Sequence, residues 1–202
     1  MDQAVEQAKS QLSAQDKQDK KNDLEKLFNS QIATLKDRGT PEQIVEMFQN
    51  QKDQVLKKAS ELTVSKGNLP FLPVIPRSYR SPYDLMAMAR NGNKVGYTNL
   101  NPTVISDTEN TSQEPYYIYD VEDGNATLGK SSNTVEKLIK QQKRSLLTAA
   151  EVMALIVHTD VLSRHYVWAC GSRCGSSDLV PGAYLFGVRP WLGLGYAGSS
   201  DG

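Results

Sequence analysis

Cys170 and Cys174, His158 and His165, and Arg173 all fall between residues 158 and 198. A cysteine attacks as the thiolate, so a nucleophilic role needs a lowered pKa and a base within reach. Cys174 follows Arg173, whose charge favours the thiolate, and His165 or His158 has the right chemistry for the base. Asp160 or Asp120 would orient that base. The catalytic candidates are therefore Cys174, His165 and His158. Gly171, Ser172 and Arg173 open the segment GSRCG, read here as a glycine-rich turn. Its backbone N–H groups and guanidinium could converge on a carboxylate or phosphate, which makes Arg173, Gly171 and Ser172 the ligand-binding candidates. The segment is not a P-loop, because it lacks the Lys-Ser/Thr ending and no clear helix follows it.

Against each reading stands a plainer one. Zinc sites usually pair C-x2-4-C with a second matching pair of ligands. The CxxxC of Cys170 and Cys174 has only the upstream His158 and His165 to add, at a spacing that matches no ligand pattern. No metal and no cofactor is expected. A lone histidine near a helix end is more often a cap or a core residue than a base, and no motif here fixes a geometry. Whether the chain is an enzyme stays open, and a non-enzymatic binding or interaction role is favoured. The alternative is a small-molecule enzyme using Cys174 with a nearby histidine and an anion held by the Gly171–Arg173 turn.

The elements that must position these residues follow from pattern. Residues 1–22 are polar, with Val5 and Leu12 too sparse to bury a face, and are expected to form a mobile lead-in. Leu24, Leu27, Phe28, Ile32 and Leu35 then make one helical stripe that Gly39 closes. Thr40-Pro41-Glu42-Gln43 opens a second helix through Leu62, and the short connection predicts an antiparallel hairpin. Residues 24–62 are the expected contact for an unknown protein partner or for a homo-oligomer.

Beyond Gly67, the prolines at 70, 73 and 76 predict an extended edge segment. A short helix over 83–90 and a polar loop over 93–113 follow, and 115–121 (PYYIYDV) reads as the best strand. A polar helix over 134–142 precedes Thr148-Ala149-Ala150-Glu151, a capping box opening an apolar core helix. Three short strands, over 166–169, 183–188 and 192–197, complete the chain. The fold class is α+β: an N-terminal helical hairpin followed by a small, mostly antiparallel sheet packed on helices. The organisation expected is a helical region over 1–66 and an α+β domain over 67–202.

Composition narrows the partners. Lys plus Arg and Asp plus Glu number 23 each, so no basic stripe exists for a phosphate backbone and no nucleic-acid role is expected. No apolar run approaches the ~20 residues that span a bilayer, and the N-terminus has no apolar signal core. No membrane partner is expected, and the expected location is cytoplasmic. Between residues 166 and 200 only Arg173, Asp178 and Arg189 are charged, which suits a segment that is buried or faces a partner.

The order LPFLPVIPRS (69–78), PYYIYDVEDG (115–124), LTAAEVMALIVH (147–158), GSRCG (171–175), VPGAYLFG (180–187) and RPWLGLGYAG (189–198) resembles a bacterial family of uncharacterised proteins. GSRCG followed by VP and RPxLG is its most specific part. The resemblance covers residues 69–198. It implies a C-terminal α+β domain after a helical region, assigns no reaction or ligand, and places the recurring cysteine at Cys174 rather than Cys170. It also implies members that continue past the last strand.

Overall fold

A computed structural model describes residues 2–175 and 178–198, with side chains from Gln15 onward. Its first helix, α1, runs without a break from Asp2 to Asp37. The expected lead-in is therefore helical. Val5 and Leu12 lie outside the described side chains. Lys20 sits on that extension and donates to the carbonyls of Ser60 and Leu62. These are orphan acceptors at the end of another helix, where a cation is favoured.

Leu24, Phe28, Ile32 and Leu35 form the buried stripe of α1. Gly39, at φ 74°, turns the chain back, with Thr40 N donating to Leu35 O. The return arm is split into α2 (Glu42–Gln49) and α3 (Lys52–Glu61). At the break Gln51 N bonds three residues back to Phe48 O. The Gln51 amide meanwhile bridges Met47 O and Pro115 O. Neither glycine nor proline marks the kink; a side chain inserted beside the helical ladder does.

These helices lie on a two-stranded antiparallel sheet, β1 (Leu69–Val74) with β6 (Tyr116–Val121). Tyr117 of β6 is where the two layers meet. Its ring is 5.4 Å from Phe48, 5.8 Å from Phe28 and 5.9 Å from Phe71 between centroids. Across the sheet lies α6 (Ala149–His158), whose Val152, Met153 and Leu155 are fully buried. Thr148 and Glu151 form the capping box expected from sequence. One hydrophobic cluster joins Leu24 of α1 to Leu192 near the chain's end.

The second sheet has the order β4 (Tyr97–Thr98), β10 (Arg189–Tyr196), β9 (Leu179–Phe186), β7 (Val167–Trp168). All its pairs are antiparallel except β4 with β10. The architecture is α+β. The region expected as loop, 93–113, holds β3 (Lys94–Val95, paired with β2, Arg90–Asn91), β4 and β5 (Ile105–Asp107). Between β1 and β2 lies the short helix α4 (Pro82–Met88), capped by Ser81. Helix α5 (Ser132–Gln141) flanks the second sheet. Among the described residues no helix is long and apolar enough to cross a membrane.

Two glycines govern how β9 and β10 pack. Gly182 and Gly193 face each other across the pair, and Gly195 lies two residues further along the same face. A Cβ at Gly182 or at Gly195 would land inside the Trp168 indole. The absence of both side chains lets that ring lie flat across the strands.

Candidate functional site

The residues chosen for their chemistry are dispersed. Cys174 ends β8 (Ser172–Cys174), opposite Ile105 of β5, and is 2% exposed. Burial pushes its thiol upward, only partly offset by the charge of Arg77. His158 ends α6 with Nε2 buried and unpaired. Burial, with Arg38 nearby, lowers its pKa to about 4. His165 lies after α6, with Nδ1 2.9 Å from Tyr166 O and Nε2 4.0 Å from an Asp123 oxygen. Among the described residues neither histidine hydrogen-bonds a cysteine, and both thiols are free and buried. Of the two carboxylates weighed as orienters, Asp160 lies 3.5 Å from Arg164, and Asp120 is held by Ser65 and Asn68.

GSRCG is also not the turn it resembles. Ser172–Cys174 is strand β8, and its donors meet acceptors of this chain. Gly171 N donates to Leu147 O, and Ser172 N to Ala169 O. Ser172 Oγ donates to Asp107 at 2.5 Å and accepts from Ala149 N, which starts α6. Arg173 donates to Cys170 O and Ser172 O and pairs with Glu136 of α5 at 2.9 Å. The arginine, with a side chain 14% exposed, clamps β8 to α5. An anion arriving here would compete with partners already in place.

A different region is open. A cavity of about 510 Å3 lies between β6, the loop that follows it, α5, residues 144–147 and β7. That is the size of a small-molecule site. Val135 and Ile139 of α5, Leu146, and Trp168 supply its apolar wall, with Cys170 behind them. Each wall has a local cause. Ser131 caps α5 by accepting from Thr134 N, which presents positions 135 and 139 on one face. Lys143, at φ 56°, closes α5 and turns the chain so that residues 144–147 cross the cavity. Trp168 is laid into place by the two glycines beneath it.

Polar groups gather at one rim. Asp120 takes a φ of 49°, uncommon for a residue with a side chain, within a strand. The conformation is held from both sides: its carboxylate accepts from Ser65 N and Asn68 Nδ2, and its carbonyl accepts from Asn68 and Arg144. Burial pushes its pKa up, but Ser65, Asn68 and the Arg144 charge outweigh it and the carboxyl sits below its ordinary value. Arg144 also lies 3.8 Å from an Asp120 carboxylate oxygen and 3.6 Å from Glu122. Glu151 touches the cavity from within; burial raises its pKa, against hydrogen bonds from Thr148 and Tyr116.

Sequence reasoning missed this place because its residues come from 117–124, 127–147 and 166–170 and share no motif. Asp120 enters the sequence reading only as an orienter for histidine. Among the described residues no group of three or more His, Cys, Asp or Glu side chains is placed to hold a metal ion.

Comparison with known proteins gives the chain a family. Residues 26–187 match the model of a family of unknown function, DUF5701. The chain belongs to that family. No curated protein and no solved structure matches it. The family model takes in α2 through β9, and with them every wall of the cavity and the GSRCG strand.

Proposed function

We propose that this member of DUF5701 is a non-enzymatic, cytoplasmic binding protein whose ligand occupies the cavity between β6, α5 and β7. The observation that carries the reading is the cavity itself: about 510 Å3, apolar on the α5 and Trp168 side, with Arg144 and three carboxylates at one rim. Pockets that mix an apolar wall with a few placed polar groups are the common form of ligand sites. Support also comes from the opposite arrangement at Cys174, where among the described residues no histidine hydrogen-bonds the buried thiol. The N-terminal helices turn their apolar stripe onto the chain's own sheet, so binding is assigned to the cavity rather than to residues 24–62. The GSRCG resemblance supports a bacterial origin.

The test uses Trp168 as reporter. In this chain carrying Trp191→Phe, one tryptophan remains, and it lines the cavity. Titration with the amphiphilic dye 1-anilinonaphthalene-8-sulfonate, an aromatic body with one anionic group, is expected to quench its emission with saturation. Val135→Phe, which fills the wall from a half-buried position, should weaken the dye at least about tenfold, a difference of about 1.4 kcal/mol. Quenching that is absent, or the same in both proteins, sinks the proposal.

A further inference from the structure

The cavity meets β6 in an unusual way. Successive residues of a strand point to opposite faces, so a cavity against one face touches every second residue. This one touches every residue from Tyr117 through Gly124. The tyrosine rings point elsewhere: Tyr117 packs among Phe28, Phe48 and Phe71, and the Lys58 ammonium sits 4.1 Å from the ring of Tyr119. Beside the rim carboxylates, what these residues show the cavity is their main chain, so the cavity lies along the edge of the strand.

That edge has no strand on it. β6 pairs with β1 alone, and among the described residues none of its members makes a backbone–backbone hydrogen bond outside that ladder. In an antiparallel ladder alternate residues turn their N–H and C=O away from the partner. Those of β6 therefore open into the cavity. The run has a defined end: at Asp120 the left-handed backbone breaks the regular edge, and its carbonyl is already taken by Asn68 and Arg144.

A purely apolar ligand filling the space would strip water from these main-chain groups and return nothing, which is costly. A second backbone returns a hydrogen bond for each. Val135, Ile139, Leu146 and Trp168 on the facing wall are placed to receive the side chains of alternate residues. We infer that the cavity's occupant is an extended peptide segment of another protein, bound as a third strand along β6. This rests on the cavity being the ligand site and names the ligand's chemical class.

The experiment starts from a displayed library of random seven-residue peptides selected on this chain. Enriched peptides are resynthesised with N-methyl groups on one or the other alternate set of amides, and their binding is measured. Methylating the set that faces β6 should cost about tenfold or more, as expected for lost main-chain hydrogen bonds, while the other set should matter little. Amide exchange over residues 117–119 should slow on binding. Val135→Phe should weaken the peptides as it weakens the dye. The inference is overturned if nothing is enriched, if both methylated forms bind like the parent, or if Val135→Phe binds peptide as tightly as the native chain. Dye uptake without peptide binding removes the peptide and leaves the cavity; loss of both removes the cavity reading as well.

Discussion

At the corner around β8, nearly every polar group meets another of the same chain: Ser172 joins β5 to the start of α6, Arg173 joins β8 to α5, and the glycine amide answers Leu147. Along β6 the chain does the reverse and leaves a strand edge facing a space of about 510 Å3. The corner carries the residue types that suggest chemistry, and the edge carries almost none of them. The cysteine, serine and arginine of GSRCG therefore sit at a structural joint in this protein, while the open site combines strand main chain, an apolar wall of α5 and Trp168, and a rim of Arg144 and carboxylates. Partnered polar groups resist a ligand; unpartnered ones invite one.

Substitutions can break or sharpen that contrast. The largest effect is expected at Gly182→Ala, where the new methyl displaces the Trp168 ring. Overpacking of this kind costs about 3 kcal/mol, read as a lowered denaturation midpoint, and dye uptake should fall with it because the wall moves. A protein that keeps both would mean Trp168 is not held as described.

Acid should act through a group outside both regions. His158 has a folded pKa of about 4 against an ordinary 6.5. The unfolded chain therefore binds the extra proton first, and stability falls as pH drops from about 6.5 towards 4. The size is about 3 kcal/mol. His158→Gln should flatten the slope of denaturation midpoints over that window, and an unchanged slope would assign it to other groups.

At the joint itself Ser172→Ala removes the donor to one Asp107 oxygen, whose other oxygen stays with Arg77, and leaves the first amide of α6 without its acceptor, at about 2 kcal/mol. Its dye binding should stay native, because Ser172 does not line the cavity. Loss of binding without loss of stability would reverse the roles assigned to the two regions. The thiol beside it should be inert. Cys174 should alkylate with iodoacetamide at neutral pH no faster than free cysteine, and faster reaction would revive the nucleophile reading. The smallest change is expected for Arg164→Ala. This arginine is half exposed and pairs with Asp123 at the rim, so its loss should stay within about 0.5 kcal/mol.

What sequence conveyed and what it withheld divide along a physical line. Helix boundaries were legible where a few consecutive residues determine them: Gly39 after Arg38, Ser81 before Pro82, the Thr148 and Glu151 box. Alternation and aromatic content picked out β6, and prolines at 70 and 73 put β1 on an edge. Strand β8 was hidden because three residues between glycines carry no period, and its identity depends on β5, some 65 positions away. The break at Gln51 was hidden because it depends on Pro115 O. The cavity was least legible. Its rim charges come from separate stretches of chain and the rest of its polar surface is main chain, which every sequence has, so only topology decides which strand edge stays bare.

The Trp168 ring lying over Gly182 and Gly195 carries a consequence for sequence variation. Positions 168, 182 and 195 form one steric unit, since the ring fills the volume that two side chains would otherwise occupy. Relatives with a small residue at 168 are free to carry alanine or serine at 182, and those with tryptophan are not. The three positions should therefore change together across the family, as a lock changes with its key.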